Sequence, residues 1–252
     1  MIKGFYSAAS ALLARLEQQK MLSHNISNLS TPGFKQSYTS LTEFLEVDAY
    51  DPADRARGNQ KPDLIGKMGL GVATTGDFID YSQGSLRSTG QKLDLAVEGE
   101  GFFRIQTPEG ERYTRDGRFQ LDAESQLVTV DGFYVLNDGG QQIELPEGEI
   151  RISSSGEIFV DGAAEDQIGL AVFENPEEDL ERGLSNLFQS ETAPGGETPG
   201  TILQGYLEMS NIDPAAMMTE LAKVARTYEA AQAMVQSQDQ LLGRAISSLG
   251  RY

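Results

Sequence analysis

From Asp213 to Leu249 the chain reads DPAAMMTELAKVARTYEAAQAMVQSQDQLLGRAISSL. Within it Met217, Leu221, Val224, Tyr228, Ala231, Val235, Gln238, Leu242, Ala245 and Leu249 recur at alternating gaps of four and three, and only Gln238 is polar. Such a pattern keeps one seam of a helix facing a partner, so it predicts a coiled coil or a long bundle stripe. Asp213 is placed to accept backbone N–H bonds as N-cap, and Pro214 suits a first helical position, where its missing N–H costs nothing. No Pro or Gly interrupts the run before Gly243. The predicted helix is about 55 Å long at about 1.5 Å per residue, several times an ordinary globular helix.

The other end of the chain mirrors it. Ile2, Phe5, Ala9, Leu12, Leu16, Gln19, Ser23 and Ile26 repeat at gaps of three and four. The helix should stop near Asn28, because Asn tolerates the left-handed C-terminal conformation and Pro32 cannot continue a helix. Thr31-Pro32-Gly33 then forces a turn. Two arrangements follow: an antiparallel helix pair inside one monomer, or a pair that also packs against other subunits. So long a seam favours additional partners, since isolated helices are marginal in water.

Between the helices the composition changes. Residues 46–69 carry Pro52, Gly58, Pro62 and Gly66 among mixed charges, which predicts a linker or long loop. From about residue 72 to 173 short apolar runs alternate with turn signals such as Asp116-Gly117, Asp131-Gly132 and Asp161-Gly162. These predict antiparallel hairpins and a small barrel or sandwich. Residues 174–205, with Asn175-Pro176, Pro194-Gly195-Gly196 and Pro199-Gly200, read as loops leading back to the C-terminal helix. Leu203 to Met209 adds a last strand. The expected fold is therefore mixed α and β, with terminal helices forming a coiled-coil or bundle core and a central antiparallel β domain. Its parts are an N-terminal helix and turn over 1–35, a linker over 36–71, the β domain over 72–205 and the C-terminal helix over 206–252.

The bulk numbers exclude several classes. The net charge is −18. Residues 1–29 carry +2 and residues 213–252 are balanced, so −20 lies in the middle. The terminal helices can crowd together while the acidic middle stays solvated, and nucleic acid is not an expected partner. With no cysteine there is no disulfide and no thiolate chemistry. No apolar run is long enough to predict a membrane span, and the N-terminus lacks the apolar core of a cleaved signal. The one histidine, His24, sits on the first helix, and no catalytic, phosphate-binding, metal or cofactor motif is present. Thirty-eight acids could supply a carboxylate pair, but a solvated acidic face accounts for them.

Three segments resemble the rod and hook proteins, the axial proteins of the bacterial flagellum. They are Asn25-x-x-Asn28-x-x-Thr31-Pro32-Gly33-Phe34-Lys35; Asp94-x-Ala96-Val97-x-Gly99-x-Gly101-Phe102-Phe103 with Tyr113-Thr114-Arg115-Asp116-Gly117-x-Phe119; and Ser210-Asn211-Ile212-Asp213 with Arg226-x-Tyr228-Glu229. The resemblance implies a non-enzymatic rod subunit of the basal body, in the periplasm-spanning rod. It implies self-assembly into a torque-transmitting helical tube beside neighbouring rod or hook proteins. It also implies passage through the flagellar type III export apparatus without a cleaved signal peptide. The 46–69 segment is similar to the distal rod's extra segment, and the proximal rod matches nearly as well. Expected subunit-interface residues are Phe5, Leu12, Leu16, Ile26 and Asn28, with Met217, Leu221, Val224, Tyr228, Val235, Leu242 and Leu249. Two other classes stay open: a secreted coiled-coil stalk or adhesin of fixed size, and an acidic cell-wall hydrolase.

Overall fold

A computed structural model describes residues 2–50, 64–183, 185–195 and 199–249. Helix α1 (Ile2–Ser27) is followed by β1 (Ser37–Tyr50) and β2 (Leu64–Ile79). Then come β3 (Leu86–Ser88), β4 (Leu95–Glu98), β5 (Phe102–Thr107), β6 (Gly110–Thr114), β7 (Phe119–Leu121), β8 (Leu127–Thr129) and β9 (Tyr134–Val135). Next are β10 (Ile150–Ile152), β11 (Glu157–Val160), β12 (Ala163–Gln167) and β13 (Leu170–Ala171). A single-turn helix α2 (Pro176–Asp179) precedes β14 (Glu181–Arg182), β15 (Phe188–Gln189), β16 (Thr201–Gln204), β17 (Tyr206–Glu208) and the long helix α3 (Pro214–Leu249). The class is the expected one: helices at both ends and an antiparallel β domain between them. Pro214 opens α3, and α1 ends at Ser27, one residue before Asn28.

The chain divides into two compact units. One gathers Met1–His24, Ser37–Phe78 and Pro214–Tyr252; the other gathers Asn25–Gln36 and Ile79–Asp213. In the first unit a Cβ added at Gly4 would meet the side chain of Gln238 at 3.6 Å. The beginning of α1 therefore lies beside the later part of α3, as in an antiparallel pair.

Also in this unit, β1 and β2 form their own two-stranded sheet. A linker and long loop were expected over 36–71, yet residues 37–50 and 64–79 are strands. β1 reads SYTSLTEFLEVDAY, rich in the aromatic and β-branched residues that suit a strand. Pro52, Gly58 and Pro62, which dominated the loop expectation, lie outside the described residues. The ladder is supported by cross-strand pairs. Tyr38 stacks on Phe78 with ring centroids 5.5 Å apart, Lys67 Nζ lies 2.9 Å from Glu46, and Thr39 Oγ1 donates to the Gly76 carbonyl. Ser10 Oγ of α1 accepts the Val72 N–H at 3.1 Å, tying the middle of β2 to the helix.

The second unit is the β body. Its largest sheet runs in the order β14-β15-β6-β5-β9-β8-β7, with β13 also on β5. Smaller sheets are β10-β11-β12, β16-β4 and β17-β3. The Asp161-Gly162 turn joins β11 to β12 with φ of 51° and 86°, the doubly positive pair that a two-residue hairpin turn needs. One core cluster centres on Leu95, Val97, Phe103, Ile105, Leu127 and Ile158; a second is aromatic, with Phe102, Phe173 and Phe188. The strand expected over 203–209 is realised as β16 and β17, separated at Gly205, whose φ is +79°.

Candidate functional site

Two features stand out, one in each unit. The first is a buried ionic junction inside the β body. Lys35 Nζ lies 2.7 Å from Glu208 Oε1, and Arg115 Nη1 lies 3.2 Å from Oε2. Lys35 and Glu208 have side chains 0% and 1% exposed, so the ion pair is dry. The Phe102 ring lies 5.0 Å from Arg115 Cζ, and the remaining hydrogen-bond partners are backbone groups. Lys35 Nζ also donates to the Ser82 carbonyl, Arg115 to the carbonyls of Val97 and Gly99, and the Gly84 N–H to Glu208 Oε1. Burial is the main influence on both cations and pulls each below its ordinary value, while Glu208 pushes the other way. That opposition marks Glu208 as the group that makes the two buried charges tolerable.

The approach of the chain to this point depends on glycine. Gly33 has φ +66°, and a Cβ there would lie 2.3 Å from the backbone of Arg115. Its N–H donates to the Glu208 carbonyl at 2.8 Å. Phe34 lies beneath the Arg182 guanidinium, 4.5 Å from ring centroid to Cζ, and Arg182 also donates to the Lys35 carbonyl. Asn211 completes the set by accepting the Gln36 N–H and donating to Asp80 and Ser82. Thr31-Pro32-Gly33-Phe34-Lys35, Tyr113-Thr114-Arg115-Asp116-Gly117 and Asn211 thus converge. Residue reasoning gave the first of these only a helix stop; nothing local in the sequence announces that Lys35 is buried, because its partner is 173 positions away.

The second feature is the surface of the helix-and-arm unit. The α3 seam is the covered face of that helix. Met217 and Val224 are buried, and Leu221, Tyr228, Ala231, Val235, Gln238 and Leu242 are half-buried. The side chain of Leu249 lies outside the described residues. Among the described side chains of α1 the buried ones are Ala8, Ala14, Leu22 and Asn25, while Leu12, Leu16 and Ile26 are half-buried and Phe5 is exposed. Two of the buried ones are small alanines, and the larger apolar residues of the expected stripe stay partly open. Asn28, in the β body, is half-buried. Among the described residues, thirteen of the fifteen exposed large hydrophobic side chains belong to this unit; Val130 and Tyr206 are the others. They include Phe5, Tyr6 and Leu13 on α1 and Met218, Met234, Leu241 and Ile246 on α3. Concentrated apolar exposure of this kind marks an interaction surface.

Neither feature resembles a catalytic centre. The junction is closed to solvent, and among the described residues no group of three or more acidic or histidine side chains could hold a metal. His24 is exposed on α1. Among the described residues no helix is long and apolar enough to cross a membrane. The β body has its own buried core, and the helix-and-arm unit carries the exposed apolar side chains that interaction surfaces show.

Comparison with known proteins gives the class. Residues 5–35 match a family model described as flagella basal body rod protein. Residues 96–160 match the flagellar hook protein FlgE/F/G D1 domain, and residues 203–248 the flagellar basal body rod FlgEFG protein C-terminal region. The basal-body rod protein FlgG of Bacillus subtilis is 32% identical, over 96% of this chain and 97% of its own length. FlgF of Caulobacter vibrioides is 32% identical over 100% and 99%, and FlgF of Rhizobium meliloti 30% over 99% and 99%. The chain belongs to the flagellar basal-body rod protein family. It is a structural protein of the basal body and not an enzyme; neither the stalk nor the hydrolase alternative finds support in these matches.

Proposed function

We propose that this chain polymerises through its terminal helices into the helical tube of the rod, with the β body outward and acidic. The observation that carries it is the concentration of exposed apolar side chains on the helix-and-arm unit. Charge supports it: the terminal segments are close to neutral, so copies approach there without the repulsion that −20 on the middle imposes. On α1 the subunit contact draws on Phe5, Leu12, Leu16 and Ile26, none of them fully buried in the monomer. On α3 the half-open members of the seam, Leu221, Tyr228, Val235 and Leu242, take part where they extend beyond their partner in the same chain. Met217 and Val224 instead hold the monomer together. Contacts at the ends of such a polymer extend to neighbouring rod or hook proteins, and the subunit is delivered unfolded through the flagellar export apparatus. Purified full-length protein should form open filaments of indefinite length in electron micrographs. A single fixed oligomer at every concentration would overturn the proposal.

The β1–β2 arm has a role of its own. A two-stranded hairpin is marginal by itself, and Phe44, Leu64 and Ile65 are exposed on it. We assign it to contacts with adjacent subunits that limit sliding, as a distal rod segment would. Removing residues 46–69 should leave the melting of the β body unchanged and give curved or more flexible filaments. Straight filaments from the deletion would refute this assignment.

A further inference from the structure

We propose that residues 201–211 are the closing segment of the β body, without which the rest of that body does not hold its fold. Three observations combine. The only ladder partner of β4 among the described strands is β16, although Leu95, Ala96 and Val97 of β4 are buried in the β body. In the same way β3 pairs only with β17. Ile202 of β16 is 2% exposed and belongs to the main core cluster. Finally, Glu208 of β17 is the carboxylate that lies between Lys35 and Arg115.

Removing this segment therefore does three things at once. It leaves two core strands without their ladders and opens the core at Ile202. It also takes from Lys35 and Arg115 the carboxylate that offsets their burial. Each is unfavourable alone, and all three fall on the same closure, so the segment cannot open as a local fray. Most segments so near the end of a body open independently; here opening should coincide with loss of the whole body. A chain made from its N-terminus onward consequently stays open until about residue 211 is available, and the Lys35 segment docks in that final step.

Hydrogen exchange on the full-length protein tests this. The amides of Gly205 and Met209 bond the carbonyls of Asp94 and Ser85, both at 2.8 Å. Those of Leu127 and Leu136 bond the carbonyls of Ile143 and Arg104, deep in the large sheet, at 2.9 and 2.8 Å. If the segment closes the body, all four exchange only through the same opening, and their protection factors agree within about tenfold. Gly205 and Met209 exchanging more than about tenfold faster than Leu127 and Leu136 would overturn the inference. The substitution Glu208→Gln supplies a second reading. It should accelerate both pairs of amides by a common factor; acceleration confined to Gly205 and Met209 would equally overturn it.

Discussion

Replacing Glu208 with glutamine is expected to lower the stability of the β body by about 3–5 kcal/mol, the cost of leaving buried charge unpaired. The substitution keeps size and shape, so packing changes little. What changes is charge: Lys35 and Arg115 remain, with side chains 0% and 5% exposed, and lose their counter-ion. The glutamine amide can still accept from one partner, but its N–H2 group then points donors at the other cation or at the Gly84 N–H, which bonds Oε1 in the native protein. Melting should fall by roughly 10–15 °C for a body of this size. A triple replacement, Lys35→Met with Arg115→Met and Glu208→Leu, should recover only the part of the loss due to unpaired charge, because it also takes these side-chain partners from the Ser82, Val97 and Gly99 carbonyls and the Gly84 N–H. Urea unfolding of the single and triple variants measures both. A Glu208→Gln loss below about 1 kcal/mol, the level of an ordinary surface change, would show that the junction is not the constraint described here.

Gly117→Ala should cost at least about 3 kcal/mol, the top of the usual range for overpacking. A Cβ there would lie 1.6 Å from the Leu95 carbonyl oxygen and 2.7 Å from its carbon. The obstacle is the backbone of a core strand, so no side chain can swing aside. Moving Leu95 would also break the bond from its N–H to the Gly117 carbonyl, 3.0 Å in the native protein. Gly132→Ala is the comparison. Gly132 has φ +84° with nothing within 4 Å, so alanine there carries only backbone strain, about 1–2 kcal/mol. Unfolding free energies of the two variants should rank in that order; the reverse order would refute the close approach.

These two sites also show where the sequence is readable and where it is not. The α3 seam is legible because each residue reports on its own helix: a gap of four and three is a local property, and Met217, Leu221, Val224, Tyr228 and Val235 are indeed its covered face. Asp161-Gly162 is legible for the same reason. Lys35, Arg115 and Glu208 are not, since a buried ion triad is defined by three segments far apart and its members look like surface residues in isolation. The family resemblance singled out the segments around Lys35 and Arg115, and the junction is where those two segments meet. β6 and β12, reading GERYT and AAEDQ, escape because their strand state is set by ladders with β5 and β11 rather than by alternation. The arm escapes because Pro and Gly near its middle outweighed the strand-forming residues of β1.

The central claim is that the outward apolar side chains of the terminal helices join the subunits. Leu13→Asp and Met234→Asp address it most directly. Both positions are well exposed, at 62% and 58%, so a charge there is hydrated in the monomer and the β body should melt within about 0.5 kcal/mol of wild type. In a polymer the same charge is desolvated at every lattice position, at a cost of several kcal/mol per subunit. Pelletable filament should therefore disappear from both variants while monomer melting is unchanged. Filaments of normal length and abundance from Leu13→Asp and Met234→Asp would contradict the account.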